Sequence, residues 1–211
     1  MIFDRDYYED GPATGKSLYQ NFRWIPELTI PLAHHLAIRC NFKQNDLILD
    51  YGCAKGFVVK ALRMLNYDAY GMDISEYAIS QAPKEIEEYV ELITSGQTIS
   101  RLYDWIITKD TLEHIPYSEL DLQLENLASS SRNIFIMVPL GDGQKYNIAA
   151  YELDITHHIR EDLNWWGSKL EKAGFEVVTA THNMGLFKEN WQSHKEGNGL
   201  FIGKSTNITG N

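Results

Sequence analysis

The chain has 211 residues, 44% of them hydrophobic and 12% aromatic, enough apolar surface for one sizeable core and too much for a disordered segment. Acidic residues outnumber basic ones 29 to 19, a formal net charge of -10, so the whole-molecule field opposes binding that depends on neutralising many phosphates, and nucleic acid is a poor partner. The opening MIFDRDYYED has no basic head followed by an apolar block, and no stretch reaches the roughly 18 apolar residues of a membrane span. The expectation is a cytoplasmic protein with no membrane partner.

In chain order, residues 1–30 form an arm rich in aromatics, with Phe3, Tyr7, Tyr8, Tyr19, Phe22 and Trp24, a set suited to packing on a core or to a lid that keeps water from a reaction. Within it, DGPATGKS at 10–17 matches the end of a phosphate-cradling P-loop. However, Asp10 stands where the first glycine is needed, no apolar strand precedes it, and Pro26 interrupts the segment after it. Nucleotide hydrolysis is therefore set aside. The core domain is expected over 31–205, with a polar, flexible tail at 206–211.

Residues 47–49 read as a short buried strand, after which Val58, Leu62 and Leu65 recur at helical spacing. A strand over 67–73 is followed by a short helix from Ser75 that Pro83 ends, and 90–94 and 104–108 are further strands. Leu120, Leu124 and Leu127 mark a helix face, and 134–138 is an apolar fifth strand. Leu163, Trp166 and Leu170 share one face of a helix over 162–172, with Gly174 in the stop position. Strands at 175–180 and 199–203 have no helical pattern between them, which points to an antiparallel pair. This alternation predicts an α/β fold: a three-layer, doubly wound, mostly parallel seven-stranded sheet with an antiparallel closing hairpin.

In such sheets ligands sit at the carboxyl ends of the strands, and the first strand ends in LILDYGCAKGF, residues 47–57. Glycines between strand and helix let backbone approach a ligand, and the helix start behind them carries partial positive charge. A dinucleotide fingerprint needs glycine at the positions held by Ala54 and Phe57, which argues against nicotinamide or flavin. Asp50-Tyr51-Gly52-Cys53-Ala54-Lys55-Gly56 instead resembles motif I of the class I S-adenosylmethionine-dependent methyltransferases, with Ala54 in place of the middle glycine. Tyr70-Gly71-Met72-Asp73-Ile74-Ser75 resembles their motif II. The segment from Tyr103 through Asp110-Thr111-Leu112-Glu113-His114 resembles their fourth strand and its sequel, and Leu170 to Val177 resembles the joint near the carboxyl end.

The resemblance implies the Rossmann-like methyltransferase fold and S-adenosylmethionine as cofactor, held by Asp50, Gly52, Cys53, Ala54, Gly56, Asp73, Ile74, Ser95, Gly96 and Lys109. Asp73 would hold the ribose hydroxyls, since a carboxylate can accept from both. The acid many relatives carry at the end of strand three is missing from Thr94-Ser95-Gly96-Gln97, which leaves adenine contact to Ser95, Gly96 or Gln97.

Methyl transfer to an alcohol calls for a base, and His114, His157 and His158 are the candidates because imidazole titrates nearest neutrality. Asp154 with the adjacent His157 and His158 raises the question of a metal. Neighbouring residues seldom both reach one ion, so no metal is expected. The long connection 141–160, with Tyr146, Tyr151 and His157, reads as a substrate segment or as a cover holding a short helix. No Asn/Asp-Pro-Pro-aromatic text follows strand four, which removes the resemblance to adenine or glutamine methylases. The expected activity is O-methylation of a small molecule, a sugar or polysaccharide precursor; the alternative is a non-catalytic protein that binds the cofactor as a sensor or partner. Oligomeric state leaves no signature in the sequence.

Overall fold

A computed structural model describes residues 2–188 and 194–208. Its elements in chain order are α1 (Arg5–Glu9), α2 (Gly11–Thr14), α3 (Pro26–Cys40), β1 (Leu47–Tyr51), α4 (Phe57–Met64), β2 (Asp68–Asp73), α5 (Glu76–Ser80), β3 (Val90–Leu92), β4 (Tyr103–Lys109), α6 (Tyr117–Ser130), β5 (Ser131–Pro139), α7 (Leu163–Lys172), β6 (Phe175–Thr181) and β7 (Asn198–Ser205). Short 3-10 turns cover Lys84–Tyr89, Leu112–His114, Ala149–Leu153 and Gly185–Phe187. The strand order is β3-β2-β1-β4-β5-β7-β6, with helices on both sides of the sheet. This is the doubly wound methyltransferase architecture expected from the alternation of strands and helices. No helix among the described residues is long and apolar enough to cross a membrane.

Two compact units make up the chain. The first comprises the residues up to Ser95 together with Leu153–Thr156. In it β1 pairs in parallel with β2, and β2 with β3. The arm is part of this unit. Asp4 caps α1 by accepting from the Tyr7 N–H at 3.1 Å, the Tyr7 hydroxyl donates to Asp154 Oδ2 at 2.7 Å, and Ser75 Oγ donates to the Phe3 carbonyl at 2.6 Å. Tyr7, Tyr8 and Ala78 form a buried cluster against which Phe3, Tyr19, Phe22, Ala54 and Tyr77 pack. Lys16, the residue that made 10–17 look like a P-loop, is paired with Asp4 at 2.6 Å, and no strand leads into it.

Pro26 starts α3 rather than interrupting the chain. At the first helical position its missing N–H is one the helix would leave unsatisfied anyway, and its fixed φ already suits the helix. Ala33, Leu36, Ala37 and Cys40 are the buried residues of α3, a spacing of 3, 4 and 7 that defines one face, and α3 packs against α4.

In the second unit, Gly96–Glu152 with the residues from His157 onward, β4 and β5 are parallel, and β7 runs antiparallel between β5 and β6. The apolar run of β5 is explained by neighbours on both edges and complete burial from Ile134 to Pro139. β6 alternates buried or half-buried with exposed residues, the pattern of a strand with one wet face. The tail begins as a continuation of this pair, since the Thr206 N–H donates to the Gly174 carbonyl at 2.8 Å; residues 209–211 of the expected tail lie outside the described residues. Within the connection 141–160 a 3-10 turn covers Ala149–Leu153.

Gly71 in β2 lies where this strand packs tightly against the turn that follows β1. A Cβ there would sit 2.7 Å from Cys53 Sγ and 2.9 Å from Val59 Cγ2, both buried atoms with no room to retreat. Gly71→Ala is expected to destabilise the protein by about 1–3 kcal/mol, the usual cost of overpacking, read as a lower urea midpoint with unchanged m-value. A midpoint equal to that of the parent would mean the turn is looser than described.

Candidate cofactor turn and polar cluster

The first candidate site lies wholly in the first unit. After β1 the backbone enters the left-handed region three times, at Gly52 (φ 84°), Ala54 (φ 49°) and Gly56 (φ 73°). At Ala54 this costs roughly 1–2 kcal/mol that glycine would be spared. The hydrogen bonds around it hold the conformation: the Gly52 and Cys53 N–H groups both donate to the Met72 carbonyl, at 2.8 and 3.1 Å, and the Ala54 N–H donates to Asp73 Oδ2 at 2.7 Å. Gly56 has a packing reason as well, since a Cβ would lie 2.6 Å from Ile86 Cδ1 and 2.9 Å from Val90 Cγ1. α4 then starts at Phe57 with Gly56 as its cap.

Asp73, at the carboxyl end of β2, is only 8% exposed. Its other oxygen accepts from the Ser75 N–H at 2.7 Å. Burial pushes its pKa up, against the lowering effect of the N–H groups of Ser75, Ala54 and Ile74. A carboxylate has about four acceptor positions, so beside these three N–H groups one remains for a hydroxyl donor. Asp50 and Cys53 are buried behind the turn, and burial followed by the charges of Asp50 and Asp73 raises the Cys53 thiol well above its usual range, making it an inert packing group. The positive-φ turn, the start of α4 and the spare acceptor position of Asp73 suit a ligand with a hydroxyl donor and an extended polar tail.

Lys55, inside the glycine turn, was not among the expected site residues. Its Nζ donates to Glu9 Oε1 at 2.5 Å and to the Phe22 carbonyl at 2.7 Å, and it sits over the rings of Phe22 and Tyr77 at 5.9 and 5.5 Å. The Tyr77 hydroxyl donates to the same Glu9 oxygen at 2.9 Å. Burial pushes the Glu9 carboxyl up, and the hydrogen bonds from Lys55 and Tyr77 bring it below its ordinary value. Lys55 therefore fastens the arm to the turn. Ser95, at the end of this unit's first stretch, is exposed beyond β3.

The second unit carries a separate polar cluster. Asp110, in the left-handed region at φ 54° just after β4, accepts from Lys109 Nζ and Lys188 Nζ, each at 2.5 Å. Lys188 also reaches the Tyr151 hydroxyl at 3.0 Å and Asn198 Oδ1 at 2.9 Å. Burial would raise Asp110, but the two lysine charges and their hydrogen bonds outweigh it and hold the carboxyl below the usual range. Glu113 is the opposite case. Burial, then the charge of Asp110, pushes it well above its ordinary value.

The structure brings together two of the three expected histidines, His114 and His157, with ring centroids 4.7 Å apart. His157 Nδ1 lies 2.8 Å from the Tyr151 carbonyl. A carbonyl only accepts, so Nδ1 carries a proton, and in the neutral imidazole the lone pair is on Nε2. His158 is exposed, and its N–H donates to the Glu113 carbonyl at 2.7 Å. Gly96 takes φ 73° in an open turn. Tyr146 and Tyr151, candidates for substrate contact, donate to the Ile159 carbonyl and to Asn198 Oδ1, each at 2.7 Å, bonds within the second unit. Lys188 lies where the sequence shows no periodicity and Asn198 opens a strand, so neither carried a signal.

The Asp110 pair has a pH signature. Because its folded pKa lies below the unfolded one, its contribution is present above about pH 4 and is lost as pH falls further. Asp110→Asn should cost about 3 kcal/mol near neutrality by leaving Lys188 buried without its counter-charge. The gap to the parent protein should narrow below about pH 4; denaturant melts across pH that keep the same gap throughout would rule out this pairing.

A family model described as a methyltransferase domain matches residues 24–183, and no curated protein sequence matches the chain. Among solved structures it is similar to a Haloferax volcanii methyltransferase in complex with the Trm112 methyltransferase activator, at 13% identity over 85% of this chain and 91% of that one, TM-score 0.66. It is also similar to the magnesium protoporphyrin IX methyltransferase of Synechocystis with bound SAH, at 17% identity over 85% and 82%, TM-score 0.63. The [4+2]-cyclase SpnF is similar too, at 14% identity over 83% and 81%, TM-score 0.62. At these identities the structures speak for the fold, while the family match reaches from the end of the arm to the residues beyond β6, so this chain belongs to the methyltransferase-domain family.

Proposed function

We propose that the chain is an S-adenosylmethionine-dependent methyltransferase acting on a hydroxyl of a small polar molecule, a sugar or polysaccharide precursor. The observation that supports the cofactor assignment is the Asp73 carboxylate bonded to the Ala54 N–H at 2.7 Å, a hydroxyl acceptor beside a left-handed glycine turn. Asp50, Gly52, Cys53, Ala54 and Gly56 shape that turn, and Asp73 takes the ribose hydroxyls with Ile74 beside it; Ser95 is the further cofactor residue of the first unit, and Gly96 and Lys109 are those that the resemblance implies for the second. When bound, the cofactor supplies an electrophilic methyl on a sulfonium, a leaving group that needs no acid.

The remaining work belongs to the chain's side chains. The aromatic arm, fastened by Lys55 and Glu9, keeps water from the turn. His114 and His157 draw the proton from the acceptor hydroxyl, and the unprotonated Nε2 of His157 fits that duty. His158, being exposed, contributes less. An acceptor of modest size accords with the net charge of -10, which disfavours polyanionic substrates.

Two measurements test the reading. Asp73→Ala should weaken S-adenosylmethionine binding by about 1.5–3 kcal/mol, the loss of charge-assisted hydrogen bonds, and calorimetry with unaltered affinity would mean the ribose is held elsewhere. With labelled cofactor and a panel of sugar acceptors, His157→Gln should lower turnover by about 10²–10⁴-fold and His158→Gln by much less. Cofactor binding without transfer to any acceptor would favour the sensor alternative.

A further inference from the structure

Glu113, His114 and His157 each offer one ligand atom, and the three atoms lie within 4.8 Å of one another. They come from two separate segments. Glu113 and His114 belong to the 3-10 turn after β4, and His157 arrives on the passage that the His158 and Ile159 N–H groups tie to the Glu113 carbonyl at 2.7 and 3.2 Å. The grouping is therefore built by the fold.

Three observations point to a cation. Glu113 is 1% exposed, and its Oε2 has no hydrogen-bond partner among the described residues; a buried carboxyl oxygen without a donor is costly unless a proton neutralises it or a positive charge meets it. The nearby lysines do not meet it by hydrogen bonding, for Lys109 and Lys188 both donate to Asp110. His157, 9% exposed, gives its Nδ1–H to the Tyr151 carbonyl, the outer contact that fixes a metal-binding imidazole with Nε2 turned to the ion.

We propose that Glu113, His114 and His157 form a binding site for a divalent transition-metal cation, Zn²⁺, Fe²⁺ or Mn²⁺. Two imidazole nitrogens and one carboxylate oxygen suit these ions, whereas Mg²⁺ and Ca²⁺ prefer all-oxygen surroundings. Ligand atoms at about 2.0–2.2 Å from one ion lie within about 4.4 Å of one another, so a set already within 4.8 Å needs at most modest side-chain rotation to close. Three protein ligands leave positions open, which suits an oxygen donor. The acid in the set is Glu113 and not Asp154, whose carboxylate is taken by the Tyr7 hydroxyl and Thr156; its histidines are 114 and 157, not the adjacent pair. The proposed methyl-transfer reading bears only on what the ion does: bound to the acceptor hydroxyl it would lower that group's pKa so that the proton leaves to water, and His114 and His157 would then hold the ion in place of the base role given above. Binding of the ion does not depend on that reading.

The test uses the full-length protein, stripped with chelator and titrated under inert gas with Zn²⁺, Mn²⁺ and Co²⁺, with calorimetry for stoichiometry and the Co²⁺ visible spectrum for the donor set. One equivalent should bind per chain. Glu113→Gln and His157→Gln should each weaken binding by at least about 10–100-fold, while His182→Gln, at an exposed position, should leave it unchanged. Circular dichroism and S-adenosylmethionine affinity report whether each variant is folded, and His114→Gln serves if Glu113→Gln is not. Absence of saturable binding, or equal affinity in all folded variants, would overturn the site. Saturable binding that depends on these residues supports it even if no acceptor is methylated, which would count against the acceptor reading alone.

Discussion

The first unit depends on one hydrogen bond, from the Ala54 N–H to Asp73. It joins the turn after β1 to the end of β2 and keeps an alanine in a backbone region that alanine ordinarily avoids. Without it the turn would relax toward a conformation in which the backbone no longer frames the ligand. The same bond consumes one lone pair of Asp73 and so helps fix which one remains for a hydroxyl. The strain at Ala54 and the burial of Asp73 are thus linked: the carboxylate steadies the turn, and the turn's N–H groups offset the cost of burying the carboxylate.

The arm gains its place through the same turn. Lys55 is a turn residue and an anchor at once, because its ammonium satisfies Glu9 and the Phe22 carbonyl while its position keeps it among aromatic rings. A low-exposure ion pair contributes little net stability on its own, since desolvation offsets attraction. It does define where the arm must lie, and the Tyr7, Tyr8, Tyr19 and Phe22 cluster supplies the apolar burial. Closure of the arm and formation of the turn therefore belong to one cooperative arrangement.

The second unit treats two neighbouring acids in opposite ways. Asp110 has two ammonium partners and remains charged well into acid. Glu113, three residues on and more deeply buried, has a carboxylate oxygen with no hydrogen-bond partner among the described residues. Pairs of ionisable groups with environments that push them apart recur at functional sites, and here the unpaired member is the one that stands beside two imidazoles.

Much of the fold was legible in the sequence because it rests on local periodicity. The apolar run of β5, the glycines around β1 and the leucine spacing of α6 each depend on residues within a few positions of one another. α3 was legible in principle through Ala33, Leu36, Ala37 and Cys40, but Pro26 looks like a break in the bare sequence when it is a helix start. Asp73 and the glycine turn could be named because their motifs are contiguous. What the tertiary structure decided is the company these residues keep: Lys55 with Glu9, Asp110 with Lys188, and Glu113 with His157 are separated by 46, 78 and about 44 positions. Such contacts carry no local pattern, because burial and charge pairing are set only once distant segments are packed against each other.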